Sequence, residues 1–131
     1  MTEILTFDAF SVGKLMGSRN YTIDQAAFER WISLYPQDEA HHPITPPGIV
    51  LAAVMRAYMS ILSPRPEGNI HAGQEMEMFK LPRIGDTVST EITVGNKEIR
   101  KGRRWVHLDT VSRDKDGGLV CLGKNTTIWA R

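Results

Sequence analysis

Cysteine is almost missing from this chain of 131 residues: Cys121 stands alone, so no disulfide can close within the chain and no thiol cluster is available for zinc or an iron–sulfur centre. It sits in the apolar run Leu119-Val120-Cys121-Leu122 and reads as a buried, inert thiol. Excess charge is missing too. Lys plus Arg number 16 against 15 Asp plus Glu, and a formal net charge of +1 gives no reason to expect nucleic acid, an anionic membrane or an acidic partner. There is no His-x-x-x-His spacing, and the adjacent pair His41-His42 would point apart, so neither a metal nor a cofactor is expected. No window holds the roughly 18 apolar residues of a spanning helix, and Met1 to Asp8 has neither a charged leader nor a long apolar core. The expectation is a cytoplasmic protein without a membrane segment. The matches to the glycosylation pattern at Asn20 and Asn125 are then fortuitous. Repeats and low-complexity stretches are also absent, and the length suits a single domain, 1–131, able to bury a core without staples.

What is present is one unusually apolar helix. Pro46 and Pro47 stop the preceding segment and pre-set the first turn, and Gly48 would let a ligand or another backbone approach the helix N-terminus. From Ile49 to Leu62 only Arg56 and Ser60 are polar, and being four apart they share a face. The pair reads either as a contact to a partner subunit or as part of a ligand tunnel. About 14 residues at roughly 1.5 Å each give a rod of about 21 Å, which a curved sheet could wrap.

Around that helix the pattern switches between periods. An entry strand is expected over Glu3 to Phe7, then a turn near Gly13 and an extended stretch to Tyr21. Thr22 and Gln25 form a capping box for a helix whose stripe is Phe28, Trp31, Ile32 and Tyr35, ended by Pro36. Gln37 to Thr45 is a polar loop carrying Asp38, Glu39, His41 and His42. After the turn Ser63 to Gly68, Ile70, Ala72, Gln74, Met76 and Met78 alternate with His71, Gly73, Glu75, Glu77 and Phe79. Three long strands follow, Thr87 to Ile99, Arg103 to Arg113 and Leu119 to Ala130, joined by hairpins at Lys101-Gly102 and Asp114 to Gly118. The basic cluster Lys97 to Arg104 falls on the first hairpin and reads as a solvated turn. His107 shares a strand face with Trp105 and Asp109 and reads as a surface residue. The sum is an α+β fold, a long central helix wrapped by a curved antiparallel sheet.

The layout of strand, helix, acidic-histidine loop and Pro-Pro-Gly helix, followed by Ile70-His71-Ala72-Gly73-Gln74-Glu75 and Pro82-Arg83-Ile84-Gly85-Asp86, resembles the hotdog-fold MaoC-like dehydratases and R-specific enoyl-CoA hydratases. It is most similar to their fatty-acid-synthase-type dehydratase branch. The resemblance covers roughly residues 7 to 130. It implies a hotdog fold that pairs into a double hotdog, as a homodimer or with a second hotdog subunit, and an acyl thioester of coenzyme A or acyl carrier protein as ligand. Water would be added or removed across a 2,3 double bond. In that family the loop reads Asp-x-Asn-Pro-apolar-His. Here Asp38-Glu39-Ala40-His41-His42-Pro43 keeps the Asp, lacks the Asn-Pro, and offers histidines at spacings of three and four. One alignment sets His42 near the family histidine; another places His41-His42-Pro43 in the later approach to the helix.

The chemistry implied needs a water held between a base and a proton donor, and donors for the oxygen that gains charge on the thioester carbonyl. Asp38 would polarise the water, and His41 or His42 would exchange a proton with the α-carbon. Backbone N–H groups at Gly48 and Ile49, at the positive end of the helix, would hold the oxyanion. His71 and Gln74 are further candidates for the substrate cavity. Two alternatives stand beside a hydro-lyase: a catalytically silent subunit that binds acyl thioester or completes a partner's tunnel, and a hotdog lyase, cyclase or isomerase in a biosynthetic pathway.

Overall fold

The computed structural model describes residues 3–131. Five antiparallel strands form one sheet in the order β1-β3-β4-β5-β2: β1 Leu15–Thr22, β2 Ile70–Met78, β3 Thr87–Arg100, β4 Arg103–Arg113 and β5 Leu119–Trp129. Two α-helices precede β2, α1 Gln25–Leu34 and α2 Pro47–Ile61. The meander from β3 to β5 follows the turn chemistry read from the sequence, with Lys101 and Gly102 both at positive φ in the first hairpin.

Strands of 11 to 14 residues would overshoot a flat sheet, and register shifts relieve this. They interrupt pairing between Leu15 and Gly17, His71 and Gly73, and Val94 and Asn96, and each bends its strand. The concave face thus formed carries Ile92, Val94, Val106, Leu108 and Trp129, which pack with Tyr58 of α2, with Leu62 just past its end, and with Phe7 and Phe10 from the N-terminal segment.

Several local expectations are corrected. Glu3 to Phe7 is not a strand: Leu5 N–H donates to the Pro64 carbonyl and Phe7 N–H to the Arg131 carbonyl, both at 2.7 Å, and Phe7–Ala9 is a 3-10 turn. This segment plugs the end of the core with Phe7 and Phe10 instead of extending the sheet. Thr22 does not cap α1. It remains in β1 with its hydroxyl 2.7 Å from that of Thr87, and Asp24 accepts from Ala27 N–H at 2.8 Å as the cap. The bulge at Ala72 breaks the alternation of β2, so Gln74, Met76 and Met78 are half-buried while Ile70 is 47% exposed. Finally, α2 is covered on one side only. Val50, Ala53, Val54, Ala57 and Tyr58 are buried, but Leu51 and Met59 are 36% and 54% exposed, beside Arg56 and Ser60.

No helix among the described residues is long and apolar enough to cross a membrane.

Candidate active site

The loop between the helices is more ordered than its polarity suggests. Pro36–His41 forms a 3-10 turn, with Asp38 N–H donating to the Tyr35 carbonyl at 3.1 Å and His42 N–H to the Glu39 carbonyl at 3.1 Å. The chain then runs against the turn Pro82 to Asp86. Thr45 N–H donates to the Pro82 carbonyl and Ile84 N–H to the Pro43 carbonyl, both at 2.8 Å, and Ile44 bridges to Arg83. Within the turn, the Asp86 carboxylate accepts from Arg83 N–H at 2.8 Å and Gly85 takes φ +100°, a conformation that favours glycine. The two separate motifs read in the sequence therefore meet: the Pro-x-x-Gly-Asp turn is the brace of the Asp-His loop.

That brace sets Asp38 and His41 on the wall of one cavity of about 380 Å³, completed by Ile44, Thr45, Pro46, Pro47 and Leu81 at the N-terminal end of α2. Asp38 is held from behind, since the Trp31 indole N–H donates to its Oδ2 at 2.7 Å. The other oxygen, Oδ1, has no protein donor among the described residues. His42 points elsewhere and packs on Phe28, ring centroids 5.0 Å apart at 48°. Adjacent histidines diverge, as their spacing requires, and His41 is the one that shares a cavity with Asp38.

Thr45 escaped the sequence analysis. Its side chain is fully buried, lines the same cavity, and its hydroxyl has no hydrogen-bond partner among the described residues. A buried hydroxyl left unpaired costs about 1–3 kcal/mol. The only sequence signal was position, a threonine directly before the Pro-Pro of the helix entry.

The helix N-terminus differs from expectation. Gly48 is not open to a ligand on its side-chain face: a Cβ built there would overlap the six-membered ring of Trp31. The glycine is required by the indole. Ile49 is 4% exposed in a cluster with Ile23, Phe28 and Val88, and its N–H already donates to the Pro46 carbonyl at 3.0 Å. Gly48 N–H, by contrast, has no partner among the described residues. His71 and Gln74 lie on β2, away from this cavity. His71 is exposed with its ring centroid 6.5 Å from that of Tyr58, and Gln74 Oε1 accepts from Asn125 Nδ2 at 3.0 Å. That bond ends a buried chain, in which Thr127 Oγ1 donates to Asn125 Oδ1 at 2.7 Å and lies 2.8 Å from the Tyr58 hydroxyl.

Cys121 is buried, and the loss of solvent pushes its thiol above the ordinary range despite a counteracting contact from Ser112. Among the described residues no three His, Cys, Asp or Glu side chains are grouped to hold a metal.

These features define a hotdog fold, a long helix held in a curved antiparallel sheet. No family model and no curated protein sequence matches the chain. Solved structures do. The chain superposes on a MaoC-like dehydratase from Rhodospirillum rubrum with a TM-score of 0.80 at 20% identity, covering 97% of this chain and 98% of that one. An R-hydratase from Pseudomonas aeruginosa gives 0.75 at 16% identity over 95% and 84% of the two chains. A hot-dog-like protein from Thermanaerovibrio acidaminovorans gives 0.70 at 18% identity over 92% and 84%.

Proposed function

We propose that this chain is a hydratase or dehydratase of 2-enoyl or (R)-3-hydroxyacyl thioesters, carried by coenzyme A or acyl carrier protein. The observation that carries the reading is the meeting of Asp38, His41 and the unpaired Thr45 hydroxyl in one cavity. The similarity to a MaoC-like dehydratase and an R-hydratase supports it.

In the hydration direction the water sits against Asp38 Oδ1, with Oδ2 anchored by Trp31. Asp38 takes a proton from the water as its oxygen bonds to C3. The electron pair of the 2,3 bond moves toward the thioester carbonyl, and protonated His41 delivers a proton to C2. A proton returned from Asp38 to His41 restores the site, and dehydration runs the same steps backward. The carbonyl oxygen would take its donors from the positive end of α2, where Gly48 N–H is without a partner among the described residues, and from the Thr45 hydroxyl once the ligand uncovers it. The Ile49 N–H has no part in this scheme, because Pro46 holds it.

Assembly belongs to the same reading. Strand β2 is an edge with its outer backbone groups unpaired, and joining two such edges would make one continuous sheet from two copies or from this chain and a second hotdog subunit. His71 and Gln74 then fall near the junction instead of in the Asp38–His41 cavity.

The test is loss of enoyl-thioester absorbance on a panel from crotonyl to longer chains, with wild-type protein at micromolar concentration. Turnover that disappears in Asp38→Asn is expected. No turnover on any member of the panel would reject the enzyme reading in favour of a silent binding subunit.

A further inference from the structure

The polar pair of α2 takes no part in the site above. Arg56 and Ser60 lie on the outward side of the helix and face Arg19, Asn20 and Tyr21 of β1 across a cleft of about 190 Å³, whose floor is the buried Ala53 and Ala57. Both guanidinium groups there are held in place. Arg56 stacks over the Tyr21 ring, 4.8 Å from its centroid, which leaves its N–H edge free. Arg19 donates through Nε to Ser60 Oγ at 2.9 Å and through Nη1 to the Ser18 carbonyl at 2.8 Å. Neither makes an ion pair among the described residues.

Two cations at the mouth of one small cleft, fixed and without a counter-charge, repel each other and gain most from an anion between them. Their ordering is already supplied by Tyr21 and Ser60, so binding loses little further side-chain freedom. A carboxylate is satisfied by the fork of Arg56 alone, whereas a phosphoryl group presents enough oxygens to take the remaining N–H groups of Arg19 as well. The cleft, about 190 Å³ and open to solvent on one side, has room for a phosphoryl group between the two guanidinium groups.

We propose that the cleft between β1 and α2 binds a single phosphoryl group, bridged by Arg19 and Arg56, with the Ser60 hydroxyl as a third donor. The site stands on its own geometry; only the choice of organic probes rests on the thioester reading. Both carriers of an acyl thioester bear phosphoryl groups beyond the sulfur, and from Pro47 to Arg56 the helix rises about 14 Å, which would set such a group an arm's length from the Asp38–His41 cavity.

The experiment is calorimetric titration of inorganic phosphate, adenosine 3′,5′-bisphosphate and pantetheine 4′-phosphate into wild type, Arg19→Gln, Arg56→Gln and, as control, Arg103→Gln on the exposed β3–β4 hairpin. Saturable binding of phosphate is expected, weakened tenfold or more in Arg19→Gln and Arg56→Gln and unchanged in Arg103→Gln. The bisphosphate binding more tightly than inorganic phosphate would mark a nucleotide carrier, and pantetheine phosphate doing so would mark a carrier-protein arm. Arg56→Lys keeps the charge without the fork, and its affinity should fall between those of wild type and Arg56→Gln. No saturable binding of any probe, or equal affinity in all the proteins, overturns the site. Arginine-dependent phosphate binding in a protein that turns over no enoyl thioester would reject the catalytic reading and leave this one standing.

Discussion

Trp31 donates its indole N–H to Asp38 Oδ2 at 2.7 Å, and the six-membered ring of the same indole fills the space that a side chain at Gly48 would need. One residue of α1 thus connects the acid of the loop to the start of α2. Gly48→Ala should force the indole to move and cost about 1–3 kcal/mol as overpacking, although alanine is the better helix former. In a Trp31→Ala background the same change should be neutral or stabilising. Denaturant unfolding of the two single variants and the double variant gives the coupling, and additive effects would show that the two residues do not depend on each other.

At the site, Asp38→Asn and His41→Ala are each expected to lower turnover of crotonyl-type thioesters by about 10²-fold or more, the usual scale for a positioned acid or base. His42→Ala should lower it less, its ring being packed on Phe28. A larger loss from His42 than from His41 would reverse the assignment.

Thr45→Val removes the unpaired hydroxyl while keeping the shape. If the hydroxyl serves only a ligand, thermal stability should hold or rise while kcat/KM falls about tenfold, the worth of one hydrogen bond of roughly 1–1.5 kcal/mol. Thr45→Ser should retain most activity. A variant that melts early with normal kinetics would instead assign Thr45 to packing.

Light scattering at micromolar concentration should report twice the chain mass, from pairing at the free edge of β2. A monomer under those conditions would remove the assembly model and place His71 at an ordinary exposed edge.

Burial raises the Cys121 thiol above its ordinary range, so the native protein should resist maleimide at pH 7 and react at once when unfolded. The sign for stability follows: above the ordinary thiol range the unfolded chain ionises while the folded one stays neutral, and stability declines with rising pH. Labelling of native protein at the rate of a free thiol would show that the Leu119 to Leu122 run opens readily.

Much of this molecule is local in origin and was therefore legible. Hairpins at Lys101-Gly102 and Asp114 to Gly118, the long meander and the Pro-Pro-Gly helix follow from turn chemistry and from periods of 2 and 3.6, which need no knowledge of distant neighbours. The same locality explains the errors. Glu3 to Phe7 has strand composition, but its backbone found partners in Pro64 and Arg131, residues the local pattern cannot foresee. Thr22 offered a capping signal, yet pairing with Thr87 across the sheet kept it in β1. At the site, sequence alone supplied Asp38 and a histidine pair. Tertiary contacts decided the rest: the Pro82 to Asp86 turn holds Pro43 to Thr45, His41 lines the cavity with Asp38 and with Thr45, whose hydroxyl has no partner among the described residues, Phe28 packs on His42, and Trp31 claims the space at Gly48. Composition and periodicity determine which face of an element is buried; which side chains then share one cavity depends on loops fixed by long-range hydrogen bonds, and that information exists only in the folded chain.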